Sequence, residues 1–284
     1  MRFLVLGASG MAGHLISLYL KEAGHSVTGF SRHDLQFLDS QIIGDATDVD
    51  TLKQIDWNGY DVVVNCIGVL NKAAETNPNA SWLNGELSHF LADVTADLPT
   101  RVFHMSTDCV FAGNTGPYTE WSKPDGGSAY DRTKAAGELD DEKNLTFRNS
   151  IVGPDINPNG IGLLNWFMKQ NGPIKGFTGA IWTGLTTLEL AKAMEHEARE
   201  EAHGLVNMVP EGPINKYELL QLFNRDLRGE TVEIFPDAGL QLDKTLVRTN
   251  FKPTYRPKSY PEQVHEMAGW IRDHKELYPH YEVI

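Results

Sequence analysis

The sequence has few cysteines, few basic residues and no long apolar run. Its two cysteines, Cys66 and Cys109, lie far apart within apolar stretches, which indicates reduced, buried thiols and argues against a disulfide framework or a zinc motif. Lysine and arginine total 25 against 38 acidic residues, and the net charge of −13 argues against a nucleic-acid surface. The start, MRFLVLGASG, is too short an apolar run for a signal peptide, and no later run approaches a membrane span. We therefore expect a cytoplasmic protein that binds neither nucleic acid nor membrane and holds no metal.

The first half of the chain alternates short apolar runs with helical patterns. Runs such as RFLVLG and DVVVNCIG are continuous in Val, Ile and Leu, which is typical of strands covered on both faces. Their repetition with helices predicts a Rossmann-like α/β fold with a doubly wound parallel sheet. After Gly153, loops rich in Gly, Pro and Asn become frequent. We predict a nucleotide-binding domain from residues 1–153 plus about 184–210. A smaller, discontinuous α/β substrate-binding lobe would comprise about 154–183 and 211–284.

A glycine-rich turn joins the first strand to the first helix. The stretch LVLGASGMAGHL places Gly7, Gly10 and Gly13 at this junction. Such glycines allow a tight turn, close approach of the backbone to a pyrophosphate and close helix packing, while the helix N-terminus supplies amide donors. The alternative is a simple tight turn. The spacing is G-x-x-G-x-x-G rather than G-x-G-x-x-G, and its place directly after the first strand favours a dinucleotide site.

The end of the second strand indicates which dinucleotide is bound. An NAD site usually carries an acidic residue there for the ribose hydroxyls. This chain instead offers Ser31 and Arg32, with Asp34 nearby. Because arginine suits a 2′-phosphate, NADP(H) is favoured and NAD(H) is possible. The alternative is that Arg32 is an exposed loop residue without a ligand.

The stretch SAYDRTKAAGEL carries a tyrosine and a lysine four residues apart. On a helix, Tyr130 and Lys134 would leave the same face. A lysine ammonium near a phenol favours phenolate, which makes the tyrosine a usable acid. The alternative is an ordinary surface pair with a solvated ammonium.

In this order, the motifs resemble the extended short-chain dehydrogenases/reductases. The resemblance rests on the glycine turn, NCIG, WLNGELSHFLA, FHMSTDCVFAG, YDRTK and FRNSIVGP. Within that family, STDCVFAG most resembles dTDP-4-dehydrorhamnose reductase and related nucleotide-sugar reductases, with support from WTGLTTLELAKAM and LDKTLVRTNF.

The resemblance implies a role for each candidate residue. Tyr130 would donate a proton to a ketone, Lys134 would bind the nicotinamide ribose, and Thr107 would hydrogen-bond the substrate or the tyrosine. Ser106 is the alternative to Thr107, since only one of two neighbours on a strand should face the site. The expected cofactor contacts are Gly7, Ser9, Gly10, Met11, Gly13, Ser31, Arg32, Asp45, Ala46, Cys66, Ile67, Gly68, Asn84, Tyr130 and Lys134. The expected substrate contacts are Ser106, Asp108, Val110, Trp182 and Arg248, with Lys244 beside Arg248 as a diphosphate partner.

The function that the resemblance implies is NADPH-dependent reduction of a nucleotide-linked 4-keto-6-deoxy sugar for deoxysugar or polysaccharide biosynthesis, by a homodimer. One alternative is an epimerase or dehydratase that retains NAD. Another is a non-catalytic NADP-binding regulatory subunit, against which an intact set of Thr107, Tyr130 and Lys134 argues.

Overall fold

The computed structural model describes residues 1–283 as strands, helices and connecting loops. The strands are β1 Arg2–Leu6, β2 Ser26–Ser31, β3 Ser40–Ile43, β4 Val62–Asn65, β5 Arg101–Met105, β6 Leu145–Arg148, β7 Ser150–Val152, β8 Ile174–Trp182, β9 Gly184–Thr186, β10 Gly204–Asn207, β11 Ile214–Asn215 and β12 Ile234–Asp243. The α-helices are α1 Met11–Glu22, α2 Val49–Lys53, α3 Ala73–Thr76, α4 Leu87–Val94, α5 Ala129–Ala136, α6 Leu163–Met168, α7 Thr187–Arg199, α8 Lys216–Arg228 and α9 Tyr260–Asp273. A π-helical turn, Trp82–Glu86, leads directly into α4.

Seven parallel strands form the main sheet, in the order β10-β6-β5-β4-β1-β2-β3. The strand order reverses between β1 and β4. In sheets of this kind, ligands bind beyond the carboxyl ends of the strands at such a switch point. β1 and β4 are buried from Phe3 and from Val62 onward, as their continuous apolar runs predict. The predicted doubly wound parallel sheet is confirmed.

A second, smaller sheet has the order β11-β8-β12. β12 runs parallel to β8 and β11 runs antiparallel to it, so this sheet is mixed. Helix α8 packs on β8 and β12. β7 and β9 form a separate parallel pair, and they flank β8 in the sequence. The predicted smaller α/β lobe is therefore present, while its division from the larger unit at particular residues stays a prediction.

One continuous apolar core connects the main sheet with the C-terminal helices. It includes Phe3 of β1, Leu15 of α1, Met194 of α7 and Met267 of α9, all fully buried. Because α1 follows the glycine turn, this packing fixes the turn against a rigid support. The carboxyl ends of β1, β4 and β5 are thereby held in one place, where the candidate site lies.

Candidate functional site

The glycine turn after β1 is a close backbone approach that larger residues would obstruct. Gly7 has φ +77°, and a Cβ there would lie 3.0 Å from Ile67 Cγ1 and 3.2 Å from the carbonyl carbon of Cys66. At Gly13 a Cβ would lie 2.1 Å from the carbonyl oxygen of Gly7. Gly13 thus lets α1 pack on the turn, and Gly10 lies directly before the first residue of the helix. This geometry fits a pyrophosphate held by backbone amides at a helix N-terminus.

A cleft of about 270 Å³ opens beside this turn at the switch point of the sheet. Its walls include ten of the residues expected to contact the cofactor: Gly7, Ser9, Gly10, Ser31, Arg32, Asp45, Ala46, Cys66, Ile67 and Gly68. Five further lining residues were missed by sequence reasoning: Phe30, Gly44, Val69, Asn77 and Leu83. Phe30, Gly44 and Val69 are direct neighbours of predicted residues, so wider windows would have included them. Leu83 is likewise the neighbour of Asn84, on the π-helical turn before α4, whereas Asn77 enters from a loop for which the sequence has no signal.

Asn84 lies behind the cleft wall and holds it in place. Its Oδ1 accepts a hydrogen bond from the Val69 amide at 2.7 Å, and its Nδ2 donates to the Val69 carbonyl at 3.0 Å. Nδ2 also lies 3.0 Å from Thr133 Oγ1 on α5. Asn84 therefore ties the loop after β4 to the helix that carries Tyr130 and Lys134. Met11 is the first residue of α1 and is half-buried at the turn.

The far end of the cleft combines a cation with a structured acidic turn. Arg32 is exposed, whereas Ser31 is buried and its hydroxyl donates to the carbonyl of His33. Asp45 Oδ1 accepts from the amide and the hydroxyl of Thr47 at 2.9 and 2.8 Å. These hydrogen bonds, together with the charge of Arg32, lower the pKa of Asp45. An exposed guanidinium at this position suits the phosphate of a dinucleotide.

Helix α5 places Tyr130 and Lys134 on one buried face. Its start is fixed by a capping box, in which Ser128 Oγ accepts from the Asp131 amide and Asp131 Oδ2 accepts from the Ser128 amide, each at 3.0 Å. Both Tyr130 and Lys134 are buried. The ordinary surface pair, with a solvated ammonium, is therefore not what the structure shows.

The Lys134 amine lies beneath the cleft, at the end of β5. Nζ donates to the Met105 carbonyl at 2.5 Å and lies 3.5 Å from His104 Nε2. Burial lowers the pKa of Lys134 to about 8, and the nearby Glu138 carboxylate and Cys66 thiol oppose this. Lys134 can therefore exchange a proton near neutral pH.

The structure corrects one expectation about Tyr130. The lysine was expected to lower the pKa of the phenol, but burial raises it, and the neighbouring Cys109 adds to the increase. A hydrogen bond between the Tyr130 hydroxyl and Thr107 acts in the opposite direction. Tyr130 is consequently a neutral phenol, which is the form that can donate a proton.

Thr107 and Ser106 face opposite directions after β5. Thr107 Oγ1 accepts from the Cys109 amide at 3.2 Å and lies 3.2 Å from Asp108 Oδ1, beside Tyr130. Ser106 Oγ instead donates to Glu138 Oε1 at 2.6 Å. The structure thus brings Thr107, and not Ser106, to the phenol.

A group of charged side chains from the smaller lobe faces Asp108. Lys216, the first residue of α8, has Nζ 4.7 Å from the centre of the Trp182 ring. Burial lowers the pKa of Lys216 to about 8, against the attraction of Asp108. Burial raises the pKa of Asp108, and the cations of Lys244 and Lys216 counteract it. Lys216 was missed by sequence reasoning, since only the contact between the lobes brings it here.

Two predicted substrate residues lie elsewhere. Val110 is packed in a small core with Phe111 and Tyr118. Arg248 donates to the backbone carbonyls of Asn250, Tyr255 and Pro253, so its guanidinium holds a C-terminal loop. Trp182 is buried at the edge of the charged group, and its Nε1 has no hydrogen-bond partner among the described residues.

Residues 1–283 contain no cluster of three or more His, Cys, Asp and Glu side chains suited to a metal ion. Likewise, no helix within this range has the length and apolar character needed to cross a membrane.

Comparisons with known proteins find relatives that match about half of this chain. The chain is 34% identical over 140 residues to dTDP-4-keto-6-deoxy-D-glucose reductase from Streptomyces niveus, a match that covers 48% of this chain and 46% of the relative. It is 33% identical over 147 residues to methionine adenosyltransferase 2 subunit beta from Xenopus laevis, covering 48% and 41%. Each match thus spans less than half of the relative's length.

A solved structure shares the fold over nearly the whole chain. The dTDP-4-dehydrorhamnose reductase of Bacillus anthracis, in complex with NADP, superposes with a TM-score of 0.77 and 17% identity, covering 94% of this chain and 98% of that one. The family model described as "RmlD substrate binding domain" matches residues 1–153, the region that holds the glycine turn, Thr107, Tyr130 and Lys134. The protein is therefore an extended short-chain dehydrogenase/reductase and belongs to the RmlD substrate binding domain family.

Proposed function

We propose that this protein uses NADPH to reduce the ketone of a nucleotide-linked 4-keto-6-deoxy sugar, in deoxysugar or polysaccharide biosynthesis. The observation that carries the proposal is the position of Tyr130. Its neutral phenol lies against Thr107, on the same buried helix face as Lys134, next to the glycine cleft. A proton donor beside a dinucleotide cleft is what the reduction of a ketone requires.

The residues of the cleft fit a dinucleotide along its length. The amides of the turn at Gly10 would hold the pyrophosphate, and Arg32 would pair with a 2′-phosphate, which favours NADPH over NADH. Asp45 and Ala46 would border the adenine. Lys134 would donate to the ribose hydroxyls, in addition to the hydrogen bond that it donates to the Met105 carbonyl. When bound, NADPH supplies the hydride.

Tyr130 and Thr107 would act on the ketone oxygen. Thr107 would orient this oxygen by a hydrogen bond. As negative charge develops on the oxygen, the O–H bond of Tyr130 breaks and the proton forms a new O–H bond on the product alcohol. The raised pKa of the buried phenol keeps it protonated until that charge appears.

The smaller lobe supplies the features that suit a nucleotide sugar. Lys216 and Lys244 are near enough to Asp108 to influence its protonation, so they bring two cations to the side of Tyr130. A diphosphate bound there would lie near both cations. Its negative charge would offset the desolvation cost of the half-buried Lys216 ammonium. We accordingly assign the smaller lobe to the sugar nucleotide and expect the enzyme to form a homodimer.

The test is NADPH oxidation by the purified protein across a panel of dTDP-, UDP- and GDP-linked 4-keto-6-deoxy sugars. We expect turnover with at least one of them. Tyr130→Phe should lower kcat by about 10²-fold or more, because it removes the proton donor. Tyr60→Phe is the matched control, since Tyr60 is half-buried away from the cleft and should retain activity. Turnover that survives in Tyr130→Phe would contradict the assigned role.

A second candidate function is that of a non-catalytic NADP-binding subunit. It is favoured by the 33% identity with a protein named as a subunit of methionine adenosyltransferase. NADPH binding without turnover on any sugar, together with a partner protein recovered on gentle purification, would support it. Release of tightly held NAD on denaturation would instead indicate an epimerase or dehydratase.

A further inference from the structure

A buried asparagine and histidine lie directly beneath Lys134. Asn65 ends β4 and pairs with His104 of β5 in the register of the parallel sheet. Both side chains are fully buried. Asn65 Nδ2 lies 3.2 Å from His104 Nδ1, and His104 Nε2 lies 3.5 Å from Lys134 Nζ. The three side chains therefore form a chain of polar contacts that leads from the sheet to the helix.

The orientation of the Asn65 amide is determined by a backbone group. The amide of Ile67 donates to Asn65 Oδ1 at 3.1 Å, and a backbone N–H can only donate. The other end of the Asn65 side chain is therefore the NH₂ group, which points at His104 Nδ1. A neutral imidazole has one N–H and one acceptor nitrogen, so Nδ1 must be the acceptor and Nε2 must carry the hydrogen.

This tautomer places an N–H group opposite the lysine. An ammonium at Lys134 would present its own N–H groups to the Nε2–H of His104, so two donors would meet. A free amine has a lone pair that accepts from Nε2–H, and its two hydrogens remain for the Met105 carbonyl and for a ligand in the cleft. The free amine is therefore the form in which no N–H group of Nζ has to face the Nε2–H donor of His104.

The other ionisable groups around Lys134 do not produce this preference. Glu138, beyond the end of α5, and Cys66, beyond the end of β4, both favour the ammonium. Tyr130 is on the same helix and is neutral, while His89 of α4 acts on His104 rather than on the lysine. Burial disfavours the ammonium, and the His104 imidazole is the polar side chain from the sheet that faces Nζ.

We propose that Asn65 fixes His104 as the Nε2–H tautomer, and that this N–H favours the free amine of Lys134 over its ammonium. Asn65 and His104 are then positioning residues that act through Lys134. The inference rests on the proposed function for its role in catalysis, where a lysine that exchanges a proton near neutral pH can restore the proton that Tyr130 donates. The tautomer and the lysine titration, however, are properties of the protein without cofactor or substrate.

A second buried histidine provides an internal comparison. His14 of α1 is also fully buried, and its Nδ1 lies 2.9 Å from the carbonyl oxygen of Gly10. A carbonyl only accepts, so His14 carries its hydrogen on Nδ1, and its Nε2 accepts from the Tyr278 hydroxyl at 2.8 Å. The two buried histidines should therefore be opposite tautomers in one molecule.

The first experiment observes the tautomers directly. The protein, labelled with ¹⁵N-histidine and free of cofactor, is studied by long-range ¹H–¹⁵N correlation NMR at pH 7 to 8. His104→Phe and His14→Phe assign the two residues by loss of their signals. We expect Nε2–H for His104 and Nδ1–H for His14. An Nδ1–H tautomer or an imidazolium at His104 would overturn the proposal, and this measurement needs no substitution at Asn65.

The second experiment measures the lysine. With ε-¹³C-lysine, Lys134→Met assigns the resonance of Lys134, and its titration is compared in wild type and Asn65→Leu. We expect the midpoint of the Lys134 titration to rise by about one pH unit or more in Asn65→Leu, because the apolar leucine side chain cannot donate to His104 Nδ1 and no longer fixes the tautomer. Asn65→Asp should raise it further, because a carboxylate accepts from Nδ1–H and leaves Nε2 as an acceptor for the ammonium.

Two controls make the result specific. Lys216 also titrates near pH 8 but lies in the smaller lobe, so its midpoint should stay the same in Asn65→Leu. In a His104→Phe background, Asn65→Leu should no longer move Lys134, because the asparagine acts only through the imidazole. An unchanged Lys134 midpoint in Asn65→Leu would overturn the proposal even if the enzyme reduced every sugar offered. Conversely, the expected shift without any turnover would contradict only the proposed function.

Discussion

Replacement of Glu138 by glutamine is expected to destabilise the protein by about 3–5 kcal/mol, because it breaks a buried ion pair. Glu138 Oε1 accepts from Arg148 Nε at 2.7 Å, and Oε2 accepts from Arg148 Nη2 at 2.5 Å. The side chains of Arg148 and Glu138 are only 2% and 8% exposed. Glu138→Gln therefore leaves a guanidinium in the interior without its counter-charge, although Phe111 still covers one face of it at 5.1 Å.

Urea and thermal unfolding followed by circular dichroism would measure this loss. At about 2–4 °C for each kcal/mol, the melting temperature should fall by roughly 6–20 °C. Asp61→Asn is the matched control, because it breaks the Arg2 to Asp61 pair, whose side chains are 52% and 36% exposed. Such a pair contributes about 1 kcal/mol or less. The reasoning fails if Glu138→Gln costs no more than Asp61→Asn.

The same substitution should alter the candidate site without touching the cleft. The Glu138 carboxylate opposes the lowering of the Lys134 pKa, so its neutralisation should move the titration midpoint of Lys134 below about 8. This change is opposite in sign to the one expected for Asn65→Leu. ε-¹³C-lysine NMR would distinguish the two, and a midpoint that rises in Glu138→Gln would contradict the assigned electrostatics.

Further substitutions test the other parts of the site. Gly13→Ala would place a Cβ 2.1 Å from a backbone oxygen of the glycine turn. The Kd for NADPH, measured by fluorescence titration, should therefore rise about tenfold or more. Gly269→Ala adds its Cβ in open space within α9 and should leave this Kd unchanged. Arg32→Ala should reduce the preference for NADPH over NADH about tenfold or more in paired KM measurements. Lys216→Met should raise KM for the nucleotide sugar about tenfold or more with NADPH Kd constant. Burial lowers the pKa of His14 to about 4. Because the imidazole binds a proton more tightly in the unfolded chain, the free energy of unfolding should fall by about 3 kcal/mol between pH 6.5 and 4. His14→Gln should flatten the dependence of this free energy on pH in that range.

The candidate residues that the structure places where the sequence predicted are those whose positions follow from local geometry; their roles stay predictions. Gly7 and Gly10 lie at a strand-to-helix turn whose conformation only a few residues determine. Tyr130 and Lys134 share a face because four residues make about one helical turn. Thr107 and Ser106 diverge as neighbours after a strand should. In each case the relevant distance along the chain is short, so the pattern of residue types is sufficient.

The residues that were missed or misplaced depend on contacts between distant segments. Lys216 reaches Asp108 only because α8 packs on the smaller sheet, and no local pattern distinguishes it from any other lysine after an N-cap. Arg248 is close in sequence to Lys244, yet its guanidinium donates hydrogen bonds to backbone carbonyls of the loop at 250–256. Val110 follows Thr107 and Asp108 closely in sequence, but its side chain is packed in a small core. The positions of these side chains depend on strand register and on packing between the lobes. No short stretch of the sequence encodes either of them.

The chemistry of Lys134 shows why the spacing of Tyr130 and Lys134 is not enough to define this site. A lysine at the same spacing on an exposed helix would have a pKa near 10.4 and would stay an ammonium at neutral pH. Here the Met105 carbonyl, the His104 ring and burial act together on the amine. His104 faces Nζ with an N–H only because the sheet register sets Asn65 beside it. The end of β4 thus influences the protonation of a residue on α5, so substitutions at that strand should change the pH dependence of the site.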